Sequence, residues 1–127
     1  MSGGRGVPSP PRVRRGDVVL LPFPFAGGAA AKVRPAVVVQ ADPLNRRLAN
    51  TVVAQVTSNT GRAGNASQLL IRAASPDGRA CGLLFDSAVT AENLATVRRS
   101  DVARTIGRLP PGLLAALDAC LRAALGL

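Results

Sequence analysis

From Gly16 onward the chain never holds one hydrophobic period for long: short apolar runs alternate with clusters of Gly, Pro, Asn and Asp. Such punctuation permits short strands with tight connections. It excludes any membrane helix, which needs about 18 consecutive apolar residues. The runs read as strands over residues 17–21, 36–39, 51–57, 68–72 and 81–89, with a sixth over 94–97. Residues 42–50 and 58–66 read as polar loops, 27–32 as a flexible loop and 75–78 as a turn. Pro22 and Pro24 lack amide donors, so the chain through Phe23 and Phe25 must follow an edge, a bulge or a loop entry.

The period changes near the C-terminus. Pro110 and Pro111 suit a helix start, Leu113, Leu117, Leu121 and Leu125 recur every fourth residue, and Gly126 suits the stop. This is an amphipathic helix whose Leu stripe packs on the core or on a second copy of the chain. Asp118 and Arg122, four apart, are expected to form a solvent-exposed pair. No repeat is visible, and the pattern predicts a β-rich α+β domain, a small antiparallel barrel closed by one C-terminal helix. A chain of 127 residues supplies one domain. Residues 1–14 begin with a Gly- and Pro-rich stretch that has no apolar run suited to a signal peptide, so they are expected to be a disordered tail and 15–127 the domain.

Charge and missing residue types narrow the chemistry. Sixteen Lys+Arg against seven Asp+Glu give a net charge of +9, which favours polyanions or acidic protein segments as partners. There is no His, so a histidine general acid or base is excluded. Trp and Tyr are also absent, and Phe23, Phe25 and Phe85 lie in apolar contexts that do not suggest a base-stacking platform. Cys81 and Cys120 lie far apart with no Cys-x-x-Cys, so no structural metal is expected; they read as small buried hydrophobes suited to a reducing cytosol.

The informative segments are Arg15-Gly16-Asp17-Val18-Val19, Lys32-Val33-Arg34-Pro35 with the Val run after it, and Val52 to Asn59 ending in Thr57-Ser58. In that order and spacing they resemble the MazF/PemK family of toxin endoribonucleases from bacterial toxin–antitoxin pairs. The later segments Gly82-Leu83 with Ser87, Leu94 to Val97, Ile106 to Leu109 and the terminal Leu/Ala helix follow the family layout too, so the resemblance runs from about Arg15 to Leu127. It implies an SH3-like antiparallel barrel of the MazF/CcdB toxin type. It also implies metal-independent cleavage of single-stranded RNA, in which the ribose 2′-OH attacks its own 3′ phosphate, leaving a 2′,3′-cyclic phosphate and a 5′-OH. No cofactor is implied. A homodimer, cytoplasmic and neutralised by an antitoxin with an acidic disordered segment, is.

The family's catalytic pair maps onto Arg34 and Thr57. The chemistry suits them: a phosphorane-like transition state gathers charge on non-bridging oxygens, and a guanidinium offers a planar fork of donors to them. Arginines stay charged to above about pH 12, so stabilisation rather than proton donation is the expected role of Arg34. Thr57 would donate its hydroxyl to the same phosphate. Glu92 stands where some relatives carry an acidic residue and is a candidate general base, although a strand-end Glu is ordinarily a solvated charge. Asp17, after Gly16 at a strand entry, reads as structural. RNA binding is expected from Lys32 in the first loop, Arg46 and Arg47 in the second, and Ser58, Asn59 and Arg62 after the third strand, gathered by loops at one end of a barrel. Arg98 and Arg99 are further candidates for RNA or the dimer, and each cation singly is equally a solubilising charge. Two other readings compete: a non-enzymatic toxin of the same fold that binds a protein, as the CcdB gyrase poisons do, and a relative that binds RNA without cutting it. Arg34-Pro35 and Thr57-Ser58 argue against the first.

Overall fold

The computed structural model describes residues 12–23 and 32–127. The flexible loop expected at 27–32, apart from Lys32, lies outside these, as do Pro24, Phe25 and the first eleven residues of the expected tail. Six strands, β1 (Asp17–Phe23), β2 (Lys32–Val38), β3 (Asn50–Thr57), β4 (Gln68–Ile71), β5 (Ser87–Arg98) and β6 (Arg104–Arg108), form one antiparallel sheet in the order β4-β5-β3-β2-β1-β6. It curls into a half-barrel. Helix α3 (Pro111–Leu125) packs on one face, completing the β-rich domain with a C-terminal helix that the pattern predicts.

Strand alternation sorts the core into two layers. Val18, Val37, Ala54, Val56 and Val89 turn towards α3 and meet Leu117 and Cys120. Val19, Leu21, Phe23, Ala36, Val38 and Val53 turn to the other face and pack with Val13 and Val102. On that second face the apolar layer stops towards the end of β3, where the residues facing out are polar.

Several local features differ from expectation, each for a physical reason. The presumed loop at 42–50 contains a helical turn, α1 (Asp42–Arg47), organised by the buried Asn45. Asn45 donates to Gln40 O and Asp42 Oδ1 and accepts from Thr51 Oγ1 at 2.7 Å, contacts that no hydrophobic period announces. The turn at 75–78 is the start of α2 (Pro76–Cys81): Ser75 Oγ accepts from Gly78 N at 2.9 Å as its N-cap. Cys81 therefore ends a helix, and the fifth strand begins at Ser87. Residues 94–97 continue β5, and the sixth strand is Arg104–Arg108.

Asp118 pairs not with Arg122 but with Arg15 Nη2 at 2.7 Å, while Arg15 Nε donates to Val39 O. The Leu stripe also rotates out of the core, because each four-residue step overshoots a helical turn by about 40°. Leu117 is fully buried, Leu113 and Leu121 partly so, and Leu125 is exposed. Asp17 is structural as expected, its buried carboxylate accepting from Arg14 N and from Arg108 Nη1 at 2.8 Å. Both cysteines are buried, and burial raises the Cys81 thiol to about 11 and that of Cys120 in the same direction.

The two strand prolines shape the site. Pro22 lies beyond the last β1–β6 pair, Leu20 with Arg104, and Pro35 lies beyond the last β2–β3 pair, Ala36 with Gln55. Each falls where pairing with one neighbouring strand has stopped, as a residue without an amide hydrogen must.

Candidate active site

Because the β2–β3 ladder stops at Ala36, the next outward-facing residues on the same face, Arg34 on β2 and Thr57 on β3, flank a gap instead of a hydrogen-bonded pair. That gap belongs to a cleft of about 440 Å³ whose walls include Arg34, Gln55, Thr57, Asn59 and Arg62. Gln68, Thr90, Glu92 and Asn93 form its other side. Five expected site residues from three separate segments, Arg34, Thr57, Asn59, Arg62 and Glu92, thus meet in one place.

Local hydrogen bonds decide what Thr57 can offer. Asn59 N donates to Thr57 Oγ1 at 3.0 Å and Gly61 N donates to Asn59 Oδ1 at 3.1 Å, two successive side-chain turns at the strand exit. The Thr57 oxygen is already an acceptor, so its hydroxyl hydrogen is left to donate into the cleft.

Glu92 and Asn93 arrive by an irregularity in β5. Gln55 pairs with Thr90 and Ala54 with Leu94, so one step along β3 matches four along β5. Ala91, Glu92 and Asn93 have no partner on β3 and form a bulge, a device that re-aims side chains. Ala91 turns into the core while Glu92 and Asn93 turn out to the cleft. Beside them Thr90 Oγ1 donates to Gln55 O, and Gln68 Nε2 donates to Glu92 Oε2 at 2.6 Å.

The site carries two guanidinium groups, Arg34 and Arg62, against one carboxylate. Partial burial pushes the Glu92 carboxyl up, but hydrogen bonds from Gln68, its own backbone and Ser67, together with the charge of Arg62, outweigh that. The net direction is down, so Glu92 is an anion at neutral pH and a weak base. Among the described residues no three His, Cys, Asp or Glu side chains converge as metal ligands would.

The remaining expected residues divide. Lys32 and Ser58 line an adjoining groove of about 740 Å³ that shares Arg34 with the cleft. This groove also holds Phe85 and Leu84, 69% and 86% exposed, so the Phe85 ring, whose apolar sequence context did not suggest a base-stacking platform, lies open to solvent. Arg46 and Arg47 do not join the site. They ride on α1, beyond the opposite end of β3, whose seven steps of about 3.3 Å place that end about 23 Å away. There Arg46 shares a separate cleft with Arg12, Arg14 and Arg99. The expectation that loops at one end gather all the cations is corrected by topology: the connection after β2 and the one after β3 leave opposite ends of antiparallel neighbours. Gln55, Gln68, Thr90 and Asn93 were not anticipated. Gln55 had a signal, standing two residues before Thr57 on the same face, whereas Gln68 is identified only by strand pairing with Thr90.

Comparison with known proteins gives a consistent result. The model of a family described as PemK-like, MazF-like toxins of type II toxin–antitoxin systems matches residues 14–125. The protein named Endoribonuclease MazF6 of Mycobacterium tuberculosis is 33% identical over 105 residues, covering 82% of this chain and 88% of its own. A MazE–MazF complex from Deinococcus radiodurans superposes with a TM-score of 0.72 at 22% identity, over 91% of this chain and 97% of the other. A mycobacterial endoribonuclease solved with its cognate antitoxin gives 0.70 at 22% identity, over 91% and 96%.

Proposed function

The chain belongs to the PemK-like, MazF-like toxin family and is an endoribonuclease of a toxin–antitoxin system, and from that premise we propose that it cuts single-stranded RNA by internal transesterification at the Arg34–Thr57 gap. The 2′-oxygen attacks the adjacent phosphorus and loses its proton, the bond from phosphorus to the 5′-oxygen breaks, and that oxygen takes up a proton. The products are a 2′,3′-cyclic phosphate and a 5′-OH, with no water consumed and no metal required.

One observation carries this reading: Arg34 and Thr57 flank a gap in the sheet, with the Thr57 hydroxyl hydrogen left to donate. A phosphate held between them meets a cationic fork on one side and a hydroxyl donor on the other, where its non-bridging oxygens become most charged. Arg62 and Lys32 extend the positive lining for flanking phosphates, with Ser58 and Asn59 as polar contacts. Glu92 is the carboxylate that can receive the 2′-OH proton, and its lowered pKa makes this a small part of the rate.

We assign the protein a cognate antitoxin, as its structural relatives have, whose acidic segment would lie along the basic groove, together with a homodimeric state and a cytoplasmic location. The test is incubation of the wild type and Arg34→Ala with a long single-stranded RNA in excess EDTA, with analysis of the ends. The wild type gives 5′-OH and cyclic phosphate ends, and the variant is slower by on the order of 10²-fold or more. Undiminished cleavage by Arg34→Ala overturns the assignment. RNA binding without cleavage by the wild type favours the inert-binder reading.

A further inference from the structure

Gln68 is 9% exposed, and its Oε1 is buried with no hydrogen-bond partner among the described residues. A buried acceptor left unmade is costly, and native chains ordinarily satisfy it. Turning the amide over does not relieve it, because the carbonyl would then face the Glu92 carboxylate, acceptor against acceptor. The bond from Nε2 to Glu92 therefore fixes which end of the amide is the unpaired one. Gln68 also lies along the wall of the cleft, in line with Thr90 and Gln55 across three strands. Thr90 already donates to Gln55 O, so it supplies no donor to Gln68.

Resting on the RNA-cleaving reading above, we infer that Gln68 is a specificity residue whose Oε1 accepts an N–H from the edge of a nucleobase seated in the cleft beside the scissile phosphate. Bases of single-stranded RNA are splayed out and present their Watson–Crick edges, each with at least one N–H. The terminal torsion of a glutamine is broad and soft, so a small rotation that keeps Nε2 on Glu92 presents Oε1 to the cleft. Glu92 is then the group that holds the reading amide. A base with its N–H in the right place satisfies the orphan acceptor; one with a ring nitrogen or carbonyl there meets acceptor against acceptor and is rejected.

The test is cleavage of a random-sequence single-stranded RNA pool by the wild type and Gln68→Met, which keeps the length of the side chain and removes the amide. Expected is a wild-type site in which one position loses its preference about tenfold in the variant while the others persist. At that position, an analogue lacking the edge N–H costs the wild type about tenfold and costs Gln68→Met nothing further. If Gln68→Met does not fold, Gln68→Asn, which withdraws the amide by one methylene, gives the same relaxed position. An unchanged site preference, or a uniform loss of rate at an unchanged preference, overturns the inference. If the wild type cuts nothing, the catalytic reading fails instead. Gln68 is then judged on sequences enriched by binding, where a one-position preference lost in the variant supports it and none overturns it.

Discussion

At the scale of single residues, the cleft depends on which hydrogen each polar group has left to give. Thr57 accepts from Asn59 and has its own hydrogen free, so Thr57→Ser should keep activity within about tenfold while Thr57→Val should lose on the order of 10²-fold. Initial cleavage rates on one RNA check this, and equal losses in both would deny the hydroxyl its role. Glu92 and Asp42 both have carboxyls below their ordinary values. For Asp42 the chief cause is the hydrogen bond from the Arg15 backbone N–H; for Glu92 burial acts upward but the hydrogen bonds and Arg62 prevail. A carboxyl lowered in the folded state binds protons more readily when unfolded, so its contribution is complete above the unfolded value and disappears as pH falls through the folded one. Stability should hold above about pH 4 to 5 and fall below it. Asp42→Asn should flatten that acid limb in denaturant titrations, and an unchanged limb would remove Asp42 from the account. Arg34, Thr57 and Glu92 were legible in the sequence because motif order exposes them; Gln68 was not, because only pairing between β4 and β5 brings it to Glu92.

At the scale of elements, two close contacts fix how the helices sit on the sheet. A Cβ at Gly107 would fall 2.3 Å from the Cys81 carbonyl carbon, and one at Gly82, in the left-handed region at φ +72°, 2.1 Å from Ile106 O. The end of α2 and β6 therefore approach backbone to backbone. Gly107→Ala should be strongly destabilising, whereas Gly112→Ala, with nothing near, should not. Leu117→Ala should cost about 2–5 kcal/mol through the cavity it leaves under α3. Urea unfolding measures all three, and a Gly107→Ala midpoint equal to the wild type would refute the contact. Long periodic elements such as α3 could be read from sequence. The six-residue helices α1 and α2 could not, being too short to show a period and held by a buried Asn45 and a Ser75 cap.

At the scale of the whole molecule, the excess of arginine is divided between two ends of the sheet. Arg34, Arg62 and Lys32 surround the cleft and groove, while Arg12, Arg14, Arg46 and Arg99 form the second cleft. RNA affinity should fall with salt by about 0.7 log units per log unit for each phosphate contacted. Measured on a short RNA that occupies only the Arg34–Thr57 cleft, Arg62→Ala should reduce that slope and Arg46→Ala should leave it unchanged. Filter binding across a salt series decides, and a slope equally sensitive to both would place the short RNA elsewhere. The sequence supplied the total charge; its division depends on which end of an antiparallel pair each loop leaves, and composition carries no such information.

The β5 bulge has a consequence for descent. The β3–β5 ladder is regular on each side of Ala91, Glu92 and Asn93, with its register shifted across them, so two side chains project from the interruption without a partner on β3. Ala91 is bound to the frame, being buried and donating its N–H to Ser67 O, and Glu92 is tied to the buried Gln68 by the bond from Nε2, whereas Asn93 is exposed. Variation at Asn93 changes the lining of the cleft at little cost in folding, whereas variation at Glu92 also unmakes the bond from Gln68. A lineage can thus alter what its toxin cuts while inheriting the same scaffold.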